Sequence, residues 1–421
     1  MEKAALLLEN YIRGHLADVC RPAGGLFAHP FLDPGSIYHA NLWDWDSFWT
    51  VYGILTTAGP DPVFMEHARG NVLNFLSVQA PDGYIPMYLS REPEFGDYLL
   101  RRHRAGKPAN MHKPFLCQQA LLISLATDDV SWIRPHLMSL EKYLNYARET
   151  YYHEASGLYR FADDVMIGMD NDPAVFGRPP YSTASMFLNG FMYGELLAMG
   201  RLVGMCSGDA KPWQDQAHAL SAAMARECWD PRDRFYYSVD TDVRTRGYDW
   251  FHKGLGVFWR TLPIRIRTWT GFIPMLYGMA ATPQAAQLRS VLMDPNIFLG
   301  SCGVRTLDRN ERMYNLEATS NPSNWLGPVW MVSNYVAFRG LLNYGFDDDA
   351  RQIAEKSLNL LARDIEKTGT LHEYYHPETG EPIVNADFLN WNMLALSMYR
   401  ELEGDPPLLP FAELDQGDYP C

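Results

Sequence analysis

Residues 38–48 read Tyr38-His39-Ala40-Asn41-Leu42-Trp43-Asp44-Trp45-Asp46-Ser47-Phe48. Two tryptophans and two aspartates in four consecutive positions cannot all be core. Asp44, at a helix start, can act simply as a cap. Asp46 lies one turn into an otherwise apolar helix and asks for a polar ligand. A carboxylate beside indole rings suits a sugar, whose hydroxyls take bidentate hydrogen bonds while its C–H face stacks. A second acidic cluster, Ile167-Gly168-Met169-Asp170-Asn171-Asp172-Pro173, reads either as an Asx turn before proline or as part of a site. In Thr370-Leu371-His372-Glu373-Tyr374-Tyr375-His376-Pro377 the polar and aromatic residues show no core periodicity. Glu373 is therefore in a site or in solvent.

Residues 372–376 also spell H-E-x-x-H, the zinc-protease pattern, which needs both histidines on one face of a continuing helix. Gly369 precedes the run and Pro377 follows His376 directly, which pushes His376 out of helical geometry. Thr379 stands where the extended zinc pattern has glycine, and no metal is expected. Further polar-aromatic clusters open three apolar helices: Asn324-Trp325-Leu326-Gly327-Pro328-Val329-Trp330, Arg265-Ile266-Arg267-Thr268-Trp269-Thr270-Gly271-Phe272 and Asn110-Met111-His112-Lys113-Pro114. One such cluster would be capping and packing. Their recurrence at the heads of several helices points to a shared, tryptophan-lined, hydrogen-bonding pocket. The chain has no glycine-rich phosphate loop, nucleophile elbow or kinase motif set, and no cofactor is implied.

The elements that must carry these residues are helices of two alternating kinds. Segment 347–367 has a narrow apolar stripe and a charged opposite face, whereas 328–344 is apolar nearly all round, as a helix buried on every side must be. The same contrast separates 181–205 from 213–229. Along the chain this periodicity predicts about twelve helices, near 2–18, 43–57, 62–79, 113–126, 131–149, 181–205, 212–229, 268–280, 283–293, 328–344, 347–367 and 387–402. Connections leaving an apolar helix are short; those entering one are long, and long loops are usually functional. Such an alternation describes an all-α (α/α)6 barrel with its long loops on one face, read as a single domain over residues 1–421.

Composition narrows the function. Against 36 Lys+Arg stand 50 Asp+Glu, a net charge of −14, the wrong sign for a nucleic-acid partner. No apolar run approaches the roughly 20 residues of a membrane span. Ala4–Leu8 is too short an apolar stretch for a signal peptide. Six widely separated cysteines read as reduced thiols, and the expected location is the cytoplasm. Oligomeric state stays open.

Together, WDWDSF (43–48), MDNDP (169–173), RTWTGFIP (267–274), GPVW followed by NY and RG (327–340), HEYYHPETGE (372–381) and FLNWN (388–392) resemble glycoside hydrolase family 63. The resemblance is strongest to its short members that hydrolyse mannosylglycerate or glucosylglycerate, and more distant to trehalases. It implies an inverting, exo-acting α-glycosidase on a small glycoside, with Asp170 as general acid and Glu373 as general base. Inversion needs carboxyls about 6.5–9.5 Å apart with a water between them. Trp43, Asp46, Trp325 and Trp330 are expected to hold the sugar, with Arg267 as a further contact. Tyr38, Lys113, Gln118, Tyr375 and Trp391 complete the candidate substrate contacts.

This chain departs from the family twice. Asp172 replaces a common serine and is a second candidate acid. His112-Lys113-Pro114 replaces a Gln-Pro-Pro segment. Arg178, Arg244, Arg246, Arg265 and Arg267, with Lys113, favour an acidic aglycone such as glycerate. The competing classes are a sugar isomerase or epimerase, which would shuttle protons through His112, His252 or His372, a non-catalytic carbohydrate-binding module, and a zinc hydrolase.

Overall fold

The contrast between helices apolar all round and helices with one apolar stripe becomes an inner and an outer ring. The computed structural model describes residues 1–39, 41–92, 97–243, 259–317 and 321–414. In chain order its helices are α1 (Glu2–His15), α2 (Asp44–Ala58), α3 (Pro62–Ser77), α4 (Tyr98–Arg104), α5 (Leu116–Thr127), α6 (Leu137–Tyr151), α7 (Met186–Met205), α8 (Lys211–Glu227), α9 (Ile273–Leu276), α10 (Thr282–Leu292), α11 (Met331–Asn343), α12 (Asp347–Thr368) and α13 (Leu394–Leu402).

Six of these, α2, α5, α7, α9, α11 and α13, form the inner ring: each packs on the next, and α13 returns to α2. Helix α2 buries almost every side chain, including Asp44, Asp46 and Ser47. Helix α12, in the outer ring, buries a stripe through Ile353, Leu358 and Leu361. The barrel is the (α/α)6 architecture the periodicity predicts. Close approach has a local requirement where the ring shuts: a Cβ on Gly53 of α2 would lie 2.4 Å from that of Met393.

Several helices are shorter than their apolar runs. The 268–280 segment is a 3-10 turn, Trp269–Phe272, followed by the single turn of α9. Pro274 is tolerated there only because it sits in a first turn. Likewise 181–185, 113–115 and 328–330 are non-helical lead-ins, and 387–402 begins as a 3-10 turn, Asn390–Met393. These lead-ins all lie at the mouth carrying the long loops. The loops hold structure that helical periodicity does not reveal: helix α4, and short hairpins such as His372–Tyr375 with Pro382–Ala386. The five described cysteines are free. Among the described residues no helix is long and apolar enough to cross a membrane.

Candidate active site

The N-terminal ends of the inner helices and the loops entering them surround a cavity of about 200 Å3. Its floor is set by the head of α2. Strand Asn41–Trp43 pairs with Tyr88–Ser90, which delivers Trp43 and then turns the chain into the helix. Asp44 is an internal anchor: Oδ1 takes the Trp45 N–H at 2.7 Å and Oδ2 the Lys113 N–H at 2.6 Å. The Lys113 ammonium lies 2.7 Å from Asp44 Oδ1, both side chains being inaccessible. Asp46 instead faces the cavity and accepts from Asn390 Nδ2 at 2.9 Å. Burial drives its pKa well above the ordinary carboxylate range, opposed by the Lys113 charge.

Asp170 reaches the same cavity on a loop that crosses Lys113. The crossing needs Gly168, which has φ +90°; a Cβ there would meet Lys113 Cε at 3.0 Å and Trp45 Cε2 at 3.5 Å. Asn171 locks this loop to the one opposite, donating to Asn324 Oδ1 at 3.0 Å and accepting the Trp325 N–H at 2.7 Å. Asp170 is left with a 3.3 Å hydrogen bond from Asn321 Nδ2, and burial raises its pKa. Asp172 turns away. It is 1% exposed, does not line the cavity, and spends Oδ1 on the Ala174 N–H at 2.9 Å, an Asx turn. Its carboxyl is pushed up to about 7 by burial.

Glu373 lines the same cavity from strand His372–Tyr375 and is 2% exposed. Tyr38 Oη donates to its Oε1 at 3.1 Å and Oε2 at 3.2 Å, and Asn385 Nδ2 donates to Oε2. Burial raises Glu373 to about 7; the two donors hold it down, while the Asp170 charge pushes it up. Partly buried Asp170 and buried Glu373 thus line the same cavity, and the Asp170 charge is felt at Glu373.

Aromatic rings wall the space between them. Trp325 stacks on Trp330 at 3.9 Å and 12°, and Trp330 on Tyr374 at 4.6 Å and 22°. Trp45 packs against Trp325 and Trp391 at 5.5 and 5.3 Å. Trp43 and Trp391 line the cavity, and their buried indole N–H groups have no hydrogen-bond partner among the described residues. A cavity lined by carboxyls from different loops and by stacked indoles suits a polyhydroxylated ring and proton exchange with it.

A family model, the mannosylglycerate hydrolase MGH1-like glycoside hydrolase domain, matches residues 37–391, most of the chain. The chain belongs to the MGH1-like glycoside hydrolases. This agrees with the motif resemblance to glycoside hydrolase family 63. The chain is similar to mannosylglycerate hydrolase MGH1 of Selaginella moellendorffii, 23% identical over 268 residues, 62% of this chain and 47% of the relative. It therefore spans about half the length of the curated relatives it matches. Its fold is similar to that of the GH63 mannosylglycerate hydrolase from Thermus thermophilus solved with Tris and D-glycerate, with TM-score 0.70, 18% identity, and 93% and 100% of the two chains covered. Neutral trehalase Nth1 from Saccharomyces cerevisiae shares the fold at TM-score 0.60 and 15% identity, over 91% of this chain and 77% of that one.

Of the residues expected at the site of this family member, the cavity brings together Tyr38, Trp43, Asp46, Lys113, Asp170, Trp325, Trp330, Glu373 and Trp391. Three expected contacts lie elsewhere. Gln118 is buried inside the helical ring, where Nε2 donates to Pro114 O at 2.6 Å and Oε1 accepts from Tyr277 at 2.7 Å. Tyr375 is two residues from Glu373, where plain alternation would put both on one face, but the pairing register shifts between Tyr374 and Tyr375, and Tyr375 donates instead to Asp364 at 2.8 Å. Arg267 lies 3.5 Å from Asp308 and does not line the cavity.

The aglycone arginines are similarly engaged: Arg178 with Asp240, Arg265 with Asp230 and Asp233. Arg244, Arg246 and His252 lie outside the described residues. His112 is buried with Nδ1 against Lys113 O, and His372 pairs with Asp364 at 2.9 Å; neither faces the cavity. The H-E-x-x-H run is extended rather than helical. Sequence reasoning missed Asn321, Ser323 and Asn385 as site residues. Nothing local distinguishes them, since their partners are brought close only by folding.

Proposed function

We propose that this chain is an inverting, exo-acting α-glycosidase that hydrolyses a small α-glycoside, with Asp170 as general acid and Glu373 as general base. The observation that carries the reading is that these two carboxyls, Asp170 partly buried and Glu373 buried, line one tryptophan-walled cavity from different loops. In this mechanism Asp170 gives its proton to the glycosidic oxygen as the bond to the anomeric carbon breaks. Glu373 takes a proton from a water attacking the opposite face, so an α-glycoside yields a β-sugar. Asp46 offers acceptors to sugar hydroxyls, and the rings of Trp43 and Trp391 line the same space.

The small volume of the cavity, about 200 Å3, supports cleavage at a chain end rather than along a polymer. The closure of α13 onto α2 supports one catalytic domain. The isomerase alternative loses two of its three candidate proton carriers, because His112 and His372 do not line the cavity. The relatives' names bring mannosylglycerate forward as a first substrate to try, and the motif resemblance adds glucosylglycerate. Of the arginines that argued for an acidic aglycone, those described are already paired with carboxylates; Lys113, in the lining, is paired with Asp44. The experiment is a release assay over α-mannosyl and α-glucosyl conjugates of glycerate and glycerol, with NMR of the first product. The β anomer is expected first. An initial α anomer would remove the inverting pair, and full activity in a strong chelator is expected.

A further inference from the structure

Glu373 and Asn385 are cross-strand neighbours. The hairpin pairs His372 with Ala386 and Tyr374 with Val384, which sets residue 385 opposite residue 373. Facing side chains on paired strands lie within reach of one another. Here the Asn385 amide donates to Glu373 Oε2.

The backbone at this position is unusual. Asn385 has φ +54°, and Asp387, two residues on, has φ +63°. Among L residues, asparagine and aspartate tolerate this left-handed region best, and only glycine occupies it freely. Asparagine thus meets two requirements together: a conformation most side chains resist, and a neutral donor aimed at a carboxylate. A carboxylate at 385 would keep the conformation, remove the donor and add a negative charge beside Glu373.

The joint behind Asn385 also carries the other donor. Asp387 O accepts the Ser36 N–H at 3.1 Å, and Gly35 bridges to Phe388. Gly35, with φ +88°, has room for no more than hydrogen there, since a Cβ would approach Asp387 O at 3.0 Å. The turn Ser36–Tyr38 follows directly, so Tyr38 and Asn385 approach Glu373 from one clamped unit.

We propose that Asn385 is a positioning residue for Glu373: Tyr38 donates to both carboxylate oxygens and Asn385 adds a second donor on Oε2, which fixes the carboxylate plane and leaves Oε1 the less encumbered oxygen to receive a water proton. Asn385 acts through Glu373 rather than on substrate. The inference rests on the reading of Glu373 as base.

The test compares wild type, Asn385→Gly, Asn385→Asp and Glu373→Gln. Glycine accepts φ +54° without strain, so N385G removes the donor while keeping the turn, and thermal melting should stay at the wild-type value. The Glu373 carboxyl is followed by 13C NMR in protein labelled at glutamate Cδ, its signal identified by its absence from E373Q. Its titration midpoint should rise in N385G and rise further in N385D. With α-mannosylglycerate and α-glucosylglycerate as probes, kcat/KM of N385G should fall roughly ten- to a hundredfold, the range for losing a hydrogen bond to a charged group. The loss should appear in kcat, with KM nearly unchanged and the acid limb moved to higher pH. An unmoved Glu373 midpoint in both Asn385 variants overturns the inference. Failure of the underlying reading looks different: E373Q would hydrolyse like wild type while the Asn385 variants still shift the midpoint.

Discussion

At the residue scale, two aspartates two positions apart have opposite fates because the chain turns between them. Asp170 lines the cavity, whereas Asp172 closes an Asx turn beneath it. Asp170→Asn and Glu373→Gln should each lower kcat/KM by about 10²–10⁴, the usual worth of a positioned proton-transfer group. Asp172→Asn keeps an oxygen for the Ala174 N–H and should stay within about tenfold of wild type. Equal losses in D170N and D172N would assign the acid to the turn residue. The pH profile follows from the same pair. Activity requires one carboxyl ionised and the other protonated, so kcat/KM should trace a bell with one limb near the value of about 7 to which burial lifts Glu373. A profile flat from about pH 5 to about pH 9 would exclude proton transfer by these groups.

At the scale of elements, the inner helices hold their register through polar groups that look misplaced in their own sequences. Glu195 is the one acidic residue in α7 and is wholly buried. It accepts the Cys117 N–H at 2.8 Å and the Gln118 N–H at 3.1 Å, capping the first turn of α5 from a neighbouring helix. The first N–H groups of a helix have no partner within it, and the segment just before α5 carries Lys113 into the site. Glu195→Ala would leave those groups orphaned beside a void and should cost about 2–4 kcal/mol. Urea denaturation measures it; a midpoint within error of wild type would show that the cap is replaceable.

At the scale of the molecule, folding takes several carboxyls out of water without giving each a cation. Burial lifts Asp172, Glu195 and Glu373 to about 7. Between the ordinary carboxylate range and about pH 7 the folded chain holds protons that the unfolded chain has released, so stability falls as pH rises through that window. Buried His112, pushed down to about 4, acts in the opposite sense, but it is one group against three. Carboxylates held low by their partners, such as Glu378, lose their contribution only in more acidic solution. The urea midpoint should therefore be higher near about pH 5.5 than near about pH 7.5. Glu195→Gln, which cannot ionise, should flatten part of that slope, and a midpoint rising with pH would contradict the assignment.

The two-ring barrel was legible in the chain because burial on every side and burial on one side leave different periodicities, and no long-range knowledge is needed to see them. Asp46 was legible for the same reason, a charge inside an apolar stretch, and so was the clustering of tryptophan at helix heads. The family's motifs added the roles of Asp170 and Glu373. What tertiary structure alone decided is the direction in which polar side chains turn. Gln118 and Tyr375 satisfy their hydrogen bonds inside the protein at Pro114 O, Tyr277 and Asp364. Asn321, 151 positions from Asp170, turns to the site. Asn385 reaches Glu373 through a hairpin whose register depends on pairing across a loop. A side chain's type is local, but its partner is set by packing between distant segments.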